Sequence, residues 1–290
     1  MTTILLLKDT ASTKYVVHAL TPTWRDMGYR VIEHAGLRRL PDADLVFLHV
    51  DRTIVPDDYA AACARYPAAV NARALDVSRR RYSPALLSEH DAYDGPVIVK
   101  TDANYGGAPE RRDRSWPVAL AKRIEALVDR MLRGRVGSGM AADDSRWAQL
   151  DHLRPRTYPR FDRRSLVPPG VWRNPKLIVE RFLPEREGDL FFVRYWTFLG
   201  GQEMSGRYGS KDPIVKFGGQ VTPDEPVAVP PELRGWRETL GMDYGRFDYV
   251  LHEGRPVLLD VNKTMGGGDS LEDYREPFAV LATGIKDFLQ

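Results

Sequence analysis

The sequence predicts an α/β protein, and three observations carry the prediction. The first 70 or so residues alternate short apolar runs with helix-period segments, the second half is dominated by strand patterns, and the composition is that of a chain with a core to bury. Of 290 residues, 43% are hydrophobic and 10% aromatic, which excludes disorder over most of the chain. At roughly 100 to 200 residues per domain, two or three compact units are expected. The 42 Lys and Arg nearly balance the 40 Asp and Glu, so the formal charge of +2 does not point to a partner. A single cysteine, Cys63, excludes a disulfide framework and a Cys-based zinc site and predicts a reducing, cytoplasmic setting. No run approaches the ~20 apolar residues of a membrane span, and Ile4 to Leu7, stopped by Lys8 and Asp9, is too short for a signal sequence. A soluble protein without a membrane partner is expected.

Taken in order, Thr3 to Leu7 reads as a buried strand, followed by a polar turn and a helix from Thr13 to Met27. Tyr29 to His34 and Leu45 to Val50 repeat the strand pattern, and the Ala-rich stretch Asp57 to Tyr66 reads as a helix. This is the pattern of parallel strands joined by crossover helices. A dinucleotide site would need Gly-x-Gly-x-x-Gly after the first strand. The turn Lys8-Asp9-Thr10-Ala11-Ser12-Thr13 has no glycine to let a pyrophosphate approach the backbone, so this module is Rossmann-like in shape only. The character changes near Ala72. The basic run Arg79-Arg80-Arg81 precedes a strand from Val97 to Lys100, the turn Asn104-Tyr105-Gly106-Gly107 and a helix from Trp116 to Leu132. Residues 134 to 175, rich in Gly, Pro and Arg, predict connections and short helices. The remainder reads as strands Leu177 to Phe182, Leu190 to Leu199 and Gln202 to Arg207, a helix from Pro231 to Leu240, strands Phe247 to His252 and Pro256 to Val261, and a final helix from Asp273 to Phe288.

The segment Arg246 to Asn262 is the most informative chemically. It reads as a hairpin with a Glu253-Gly254 turn, Asp248 near the start of one strand, and Asp260 and Asn262 at the end of the other. In an antiparallel hairpin these ends adjoin, and residues two apart share a face, so two carboxylates and an amide oxygen converge. Hard oxygen ligands of this kind suit Mg²⁺; the alternative is a surface hairpin with acidic ends. Lys100 ends an apolar strand and is followed by Gly106 and Gly107. A buried lysine needs an anionic partner, and glycines let backbone N–H groups approach phosphate. The strand Leu177 to Leu183 leads into Glu185, Glu187 and Asp189, and could offer backbone groups to a purine edge and a carboxylate to ribose hydroxyls.

In this order the three elements resemble the ATP-grasp superfamily, most closely its D-alanine:D-alanine ligase-like and glutathione synthetase-like carboxylate-amine ligases. The resemblance covers about residues 70 to 268 and, more loosely, the first module. It implies an ATP-grasp fold, α+β in its nucleotide-binding lobes. The expected division is a Rossmann-like pre-ATP-grasp module at 1–76, a small lobe at 77–183 and a large lobe at 184–290. It implies ATP and two Mg²⁺ ions. By resemblance, Lys100 contacts the α and β phosphates, Glu180, Phe182 and Leu183 line the adenine, and Glu187 holds the ribose. Asp248, Asp260 and Asn262 hold magnesium, and Arg246 stabilises the acyl-transfer intermediate. Arg207, Lys211 and Lys216 lie where the family places phosphate contacts, with no choice among them.

Departures from the family pattern are as informative. Asp260 stands where glutamate is usual, and Asn262-Lys263-Thr264-Met265-Gly266 replaces Asn-x-x-Pro-Gly; the shorter carboxylate can still hold Mg²⁺ but has less reach for bridging two ions. The position of the family's earlier ATP lysine falls among Arg79, Arg80 and Arg81, with Arg80 taken as the phosphate contact. The loop Thr101 to Gly107 is short.

The chemistry implied is ligation of a small carboxylate to a small amine through an acyl phosphate, releasing ADP and phosphate. It needs no protein nucleophile, in keeping with the absence of a Gly-x-Ser-x-Gly elbow and with Cys63 on an Ala-rich helix reading as a core residue. Six histidines show no metal spacing. Gly266, Gly267 and Gly268 could present backbone donors to an acceptor or simply form a turn. A kinase that leaves phosphate on its product is one alternative. Polyanion or nucleic-acid binding is another, since residues 110 to 164 hold 14 Lys and Arg against 8 Asp and Glu. The arginines are interspersed with acids and form no aromatic-lined stripe, so nucleic acid is not the expected partner. A homodimer is left open. Lys8, Asp9 and Arg25 are candidate substrate contacts, with plain surface charge as the alternative.

Overall fold

The computed structural model describes residues 1–111, 144–155, 157–216, 218–267 and 275–289. The expected helix Trp116 to Leu132, Gly268 and the predicted start of the last helix at Asp273 lie outside the described residues. The chain divides into two compact units, one comprising Met1–Tyr82 and Pro184–Gln290, the other Ser83–Leu183. Among the described residues, no helix is long and apolar enough to cross a membrane.

The first unit opens with β1 (Thr3–Lys8), α1 (Val17–Asp26), β2 (Arg30–Ala35), β3 (Leu45–His49), α2 (Asp57–Cys63) and β4 (Ala68–Val70). Its sheet is wholly parallel in the order β2-β1-β3-β4. Residues Ile4 to Leu7 are fully buried, as expected for a continuous apolar strand covered on both faces. The helix α1 starts at Val17, four residues later than the periodicity predicts. Val16 N–H donates to Met265 O and Gly267 N–H to Lys14 O, so residues 14–16 are drawn into a β bridge with the chain beyond the predicted hairpin. Pro22 lies inside α1, and the Thr21 hydroxyl donates to His18 O, the carbonyl that Pro22 cannot serve. The short α3 (Arg79–Tyr82) closes this segment.

The same unit holds β9 (Glu185–Glu187), β10 (Leu190–Leu199), β11 (Gln202–Ser210), β12 (Glu225–Pro226), the helix Pro231–Thr239, β13 (Tyr244–His252), β14 (Arg255–Asn262) and the helix Arg275–Ala282, continued by a 3₁₀ turn at Thr283–Phe288. These strands form one antiparallel sheet, β12-β11-β10-β13-β14, with β9 on β10. The strand β13 begins at Tyr244, three residues before the sequence expectation, because Tyr244 and Gly245 pair with Leu199 and Phe198. The acidic segment at Glu185, into which the predicted strand Leu177 to Leu183 leads, is itself a strand. Tyr15, Trp24 and Phe47 share one core with Leu199, Tyr244, Phe278 and Ile285, and Trp24 Nε1–H donates to Ala282 O at 2.9 Å. Asn71, at positive φ, binds Asp243 and Tyr244 through both its side chain and its backbone.

The second unit holds β5 (Leu86–Leu87), β6 (Val97–Thr101), β7 (Arg160–Phe161) and β8 (Leu177–Arg181) in an antiparallel sheet ordered β5-β8-β6-β7. Two short helices, Asp144–Gln149 and Pro169–Arg173, accompany it. The sequence pattern that predicts connections and short helices over residues 134 to 175 agrees with these two helices. Among the described arginines of the basic middle segment, Arg160 lies over Phe182, and Arg164 donates to Tyr93 O and Glu89 O.

Candidate active site

The hairpin forms with the expected register. Asp248 lies opposite Asp260 and Arg246 opposite Asn262, so four polar side chains gather at one end of β13 and β14. A β-bulge follows: Tyr249 pairs with Leu258, leaving Leu259 as the extra residue beside Asp260. Arg246 Nε–H donates to Asp248 Oδ1 at 2.7 Å, and its guanidinium lies 4.4 Å from the centre of the Tyr195 ring. Burial works against the charge of Arg246, but Asp248 and the Tyr208 and Tyr195 hydroxyls more than restore it, so the guanidinium is held protonated. Asn262 Oδ1 accepts the Thr264 N–H at 2.9 Å.

The structure also brings to this end a residue that sequence reasoning did not single out from its basic run. Of the three consecutive arginines, Arg80 and Arg81 are exposed, whereas Arg79 is buried with 3% of its side chain accessible. Arg79 donates to Asp260 Oδ1 at 2.6 Å, to Leu259 O at 2.7 Å and to the Tyr82 hydroxyl at 2.8 Å. The bulge therefore presents a carbonyl and a carboxylate to one guanidinium fork. Asp248 and Asp260 thus each have an arginine on Oδ1.

Among the described residues, no three His, Cys, Asp or Glu side chains are arranged to hold a metal ion. The hairpin set has two carboxylates and draws its third oxygen from an amide. Those donors, all hard oxygens on adjacent strands, fit a Mg²⁺ ion held partly by protein and partly by phosphate.

The remaining candidates fall into two groups. In the second unit, Lys100 Nζ lies 2.7 Å from Glu180 Oε2, with both side chains under one-tenth exposed. Antiparallel pairing of β6 with β8 sets Ile98 opposite Glu180, which puts Lys100 diagonally across from it. The other oxygen, Glu180 Oε1, is buried without a hydrogen-bond partner. Phe182 N–H donates to Pro96 O at 2.9 Å, and Phe182 and Leu183 are half-buried. Gly106 and Gly107 are required by local packing: both have positive φ, and a Cβ on Gly106 would meet Leu153 O at 1.7 Å. In the first unit, Glu187 and Arg207 pair with each other, and Arg207 also bonds Glu225. The hydrogen bonds from Arg207 hold Glu187 below the usual carboxylate range. Lys211 is exposed and Lys216 half-buried.

A further polar cluster sits at the C-terminal end of the parallel sheet, where the strand order reverses between β1 and β3. Lys8 and His49 are register partners there, and Lys8 Nζ lies 2.9 Å from Glu33 Oε2 on β2. His18 Nδ1 lies 3.3 Å from the same oxygen. The His18 hydrogen bond, opposed by burial and aided by Lys8, lowers the Glu33 pKa to about 2. His49 is fully buried with neither ring nitrogen hydrogen-bonded, and burial lowers its pKa to about 3. The Tyr15 hydroxyl donates to Asp51, and the Thr264 hydroxyl, two residues past Asn262, donates to the other oxygen of Asp51 at 2.7 Å. Sequence reading singled out Lys8, Asp9 and Arg25 but not His49 or Asp51. Their only signal was position: the two residues flank the end of an apolar strand. Cys63 is buried, and burial pushes its thiol up to about 11, in keeping with an inert core residue.

No protein-family model matches this sequence, and no curated protein matches it by sequence. Solved structures do resemble it in fold. A RiPP-associated ATP-grasp ligase from Chryseobacterium gregarium, in complex with ADP and a leader and core peptide, is 11% identical with a TM-score of 0.50, covering 99% of this chain and 97% of that one. The macrocyclase MdnC from Microcystis aeruginosa, bound with precursor peptide MdnA, is 9% identical with a TM-score of 0.50, covering 99% of both chains. At such identities the likeness is one of fold, and with the α/β order and hairpin geometry above it gives the chain the ATP-grasp fold.

Proposed function

We propose that this protein is an ATP- and Mg²⁺-dependent ligase that joins a carboxylate to an amine through an acyl phosphate. The observation that carries the proposal is the hairpin, where Asp248 faces Asp260 and Arg246 faces Asn262, on a chain of ATP-grasp fold. Its division into an N-terminal module (1–76) and lobes at 77–183 and 184–290 belongs to the same reading. Lys100 would meet nucleotide phosphate, exchanging its Glu180 contact for, or sharing it with, a phosphate oxygen. The orphan oxygen of Glu180 is an acceptor that the exocyclic amine of adenine would satisfy. Glu187 and Arg207, Arg80, Lys211 and Lys216 would supply ribose and phosphate contacts. Asp248, Asp260 and Asn262 would hold magnesium, which neutralises phosphate charge.

A carboxylate is a poor electrophile. In the proposed reaction its oxygen attacks the γ-phosphorus of ATP, the bond to the β-phosphate bridging oxygen breaks, and ADP leaves. The amine nitrogen then attacks the acyl carbon, phosphate departs, and the nitrogen loses its proton. Arg246, held protonated beside Asp248, would oppose charge on the developing oxyanion. The protein's own contribution is positioning and charge, so no nucleophile is required. Two neighbours of this fold are complexes with peptides, so peptide carboxylates and amines belong beside small ones among the candidate substrates.

The test is a matrix of acids and amines, including peptides, with ADP and phosphate quantified and product masses recorded. A mass gain equal to acid plus amine minus water, with one phosphate released per ADP, is expected. Phosphate retained on the product would replace the ligase reading with a kinase. Asp260→Asn, which keeps an oxygen acceptor for Arg79, is expected to reduce substrate-dependent ADP formation at least ~100-fold, and unchanged turnover would overturn the assignment of Asp260.

A further inference from the structure

We infer that the hairpin site takes one divalent cation with its nucleotide, the buried Arg79 guanidinium standing where a second cation would otherwise balance Asp260. The inference rests on the ATP-dependent reading above and sharpens it.

Two ions bridged by Asp260 through separate oxygens would use both of them, and two ions on a single oxygen would face each other's charge at closer range. Oδ1 already accepts a charge-assisted hydrogen bond from Arg79 at 2.6 Å. Arg79 is not a mobile surface side chain that could swing aside. Only 3% of its side chain is accessible, and its other terminal nitrogen is fixed to Leu259 O and the Tyr82 hydroxyl. A guanidinium keeps its charge at every accessible pH, so a dication at Oδ1 would face a fixed positive group with nowhere to move. The β-bulge adds to this, because the extra residue, Leu259, supplies the carbonyl that seats Arg79 next to Asp260. Aspartate is also one methylene shorter than glutamate, which reduces its reach toward two ions. On the facing strand, Asp248 Oδ1 is likewise engaged by Arg246. Asp260 therefore has one side committed to a permanent cation of the protein, and the ion count falls from two to one.

The experiment counts Mn²⁺ ions bound per chain, by electron paramagnetic resonance, in the presence of saturating β,γ-imido-ATP. The full-length wild-type protein is expected to bind one. Arg79→Met is expected to bind two, and Arg79→Lys, which keeps a positive charge, one. Two ions on the wild type would overturn the inference and leave the ATP reading standing. No Mn²⁺ and no nucleotide bound would overturn both. If Arg79→Met does not fold, the wild-type and Arg79→Lys counts decide, and two ions on Arg79→Lys would refute the charge argument.

Discussion

Replacing Lys100 with methionine is the perturbation whose cost the structure defines best. The ammonium lies 2.7 Å from Glu180 Oε2, and the two side chains are 9% and 3% exposed. The second oxygen of Glu180 already lacks a donor, so Lys100→Met leaves a carboxylate enclosed by β6 and β8 with no compensating charge. Removing one partner of a buried pair costs about 3–5 kcal/mol. Around the pair, Ile98, Val99, Ile178 and Val179 are buried and apolar. Lys100→Met combined with Glu180→Leu should therefore recover most of the loss, since an apolar replacement of both partners is often neutral or stabilising by about 1–4 kcal/mol. The predicted coupling is then at least about 2 kcal/mol. Urea unfolding supplies the free energies, and hydrogen exchange of the 97–101 and 177–181 peptides assigns the loss to this sheet. A single-variant cost below about 1 kcal/mol would mean that the pair is solvated, and would refute the reasoning.

Further expectations follow from other contacts. Gly106→Ala must place a methyl 1.7 Å from Leu153 O at φ +67°, whereas Gly254→Ala at φ +76° meets no atom within 4 Å. The second should cost about 1–2 kcal/mol and the first at least twice that in urea unfolding, and equal costs would contradict the packing. On acidification, stability should fall first between pH 6.5 and about 3, as the unfolded chain protonates His49 while the buried ring resists it. It should then fall between pH 4.5 and about 2 as Glu33 protonates and loses His18 and Lys8. Both folded pKa values are depressed, so both contributions are present at high pH and lost at low pH. His49→Leu should remove the first step and Glu33→Gln the second, as read by chemical denaturation across pH. Chelation by EDTA should leave the melting temperature unchanged, because Arg79 and Arg246 already balance Asp260 and Asp248. Arg79→Ala should cost about 3–5 kcal/mol.

Legibility in the sequence followed the range of the interaction. The hairpin could be read because both strands, the turn and the carboxylates lie within one local stretch, and a period of two fixes which side chains share a face. That the first sheet is parallel could be read from the alternation of strand and helix patterns. In contrast, Arg79, Arg80 and Arg81 are successive residues on a four-residue helix, and only the packing of that helix against β14 decides which of them is buried. Glu187 and Arg207 meet because β9 and β11 both pair with β10, a register invisible to local patterning. The start of α1 was misplaced for the same reason, since residues 14–16 are claimed by a segment some 250 positions away. His49 reads as one more strand residue until the sheet order places it beside Lys8 at the reversal point.

If the hairpin carboxylates hold the Mg²⁺ of a nucleoside triphosphate, direct binding reads it without knowledge of the other substrates. Isothermal titration of the wild-type protein with β,γ-imido-ATP, with and without Mg²⁺, should show saturable binding that requires the cation and is lost in Asp248→Asn. Absence of binding at millimolar analogue with Mg²⁺ present, or equal binding by the Asp248→Asn protein, would contradict it.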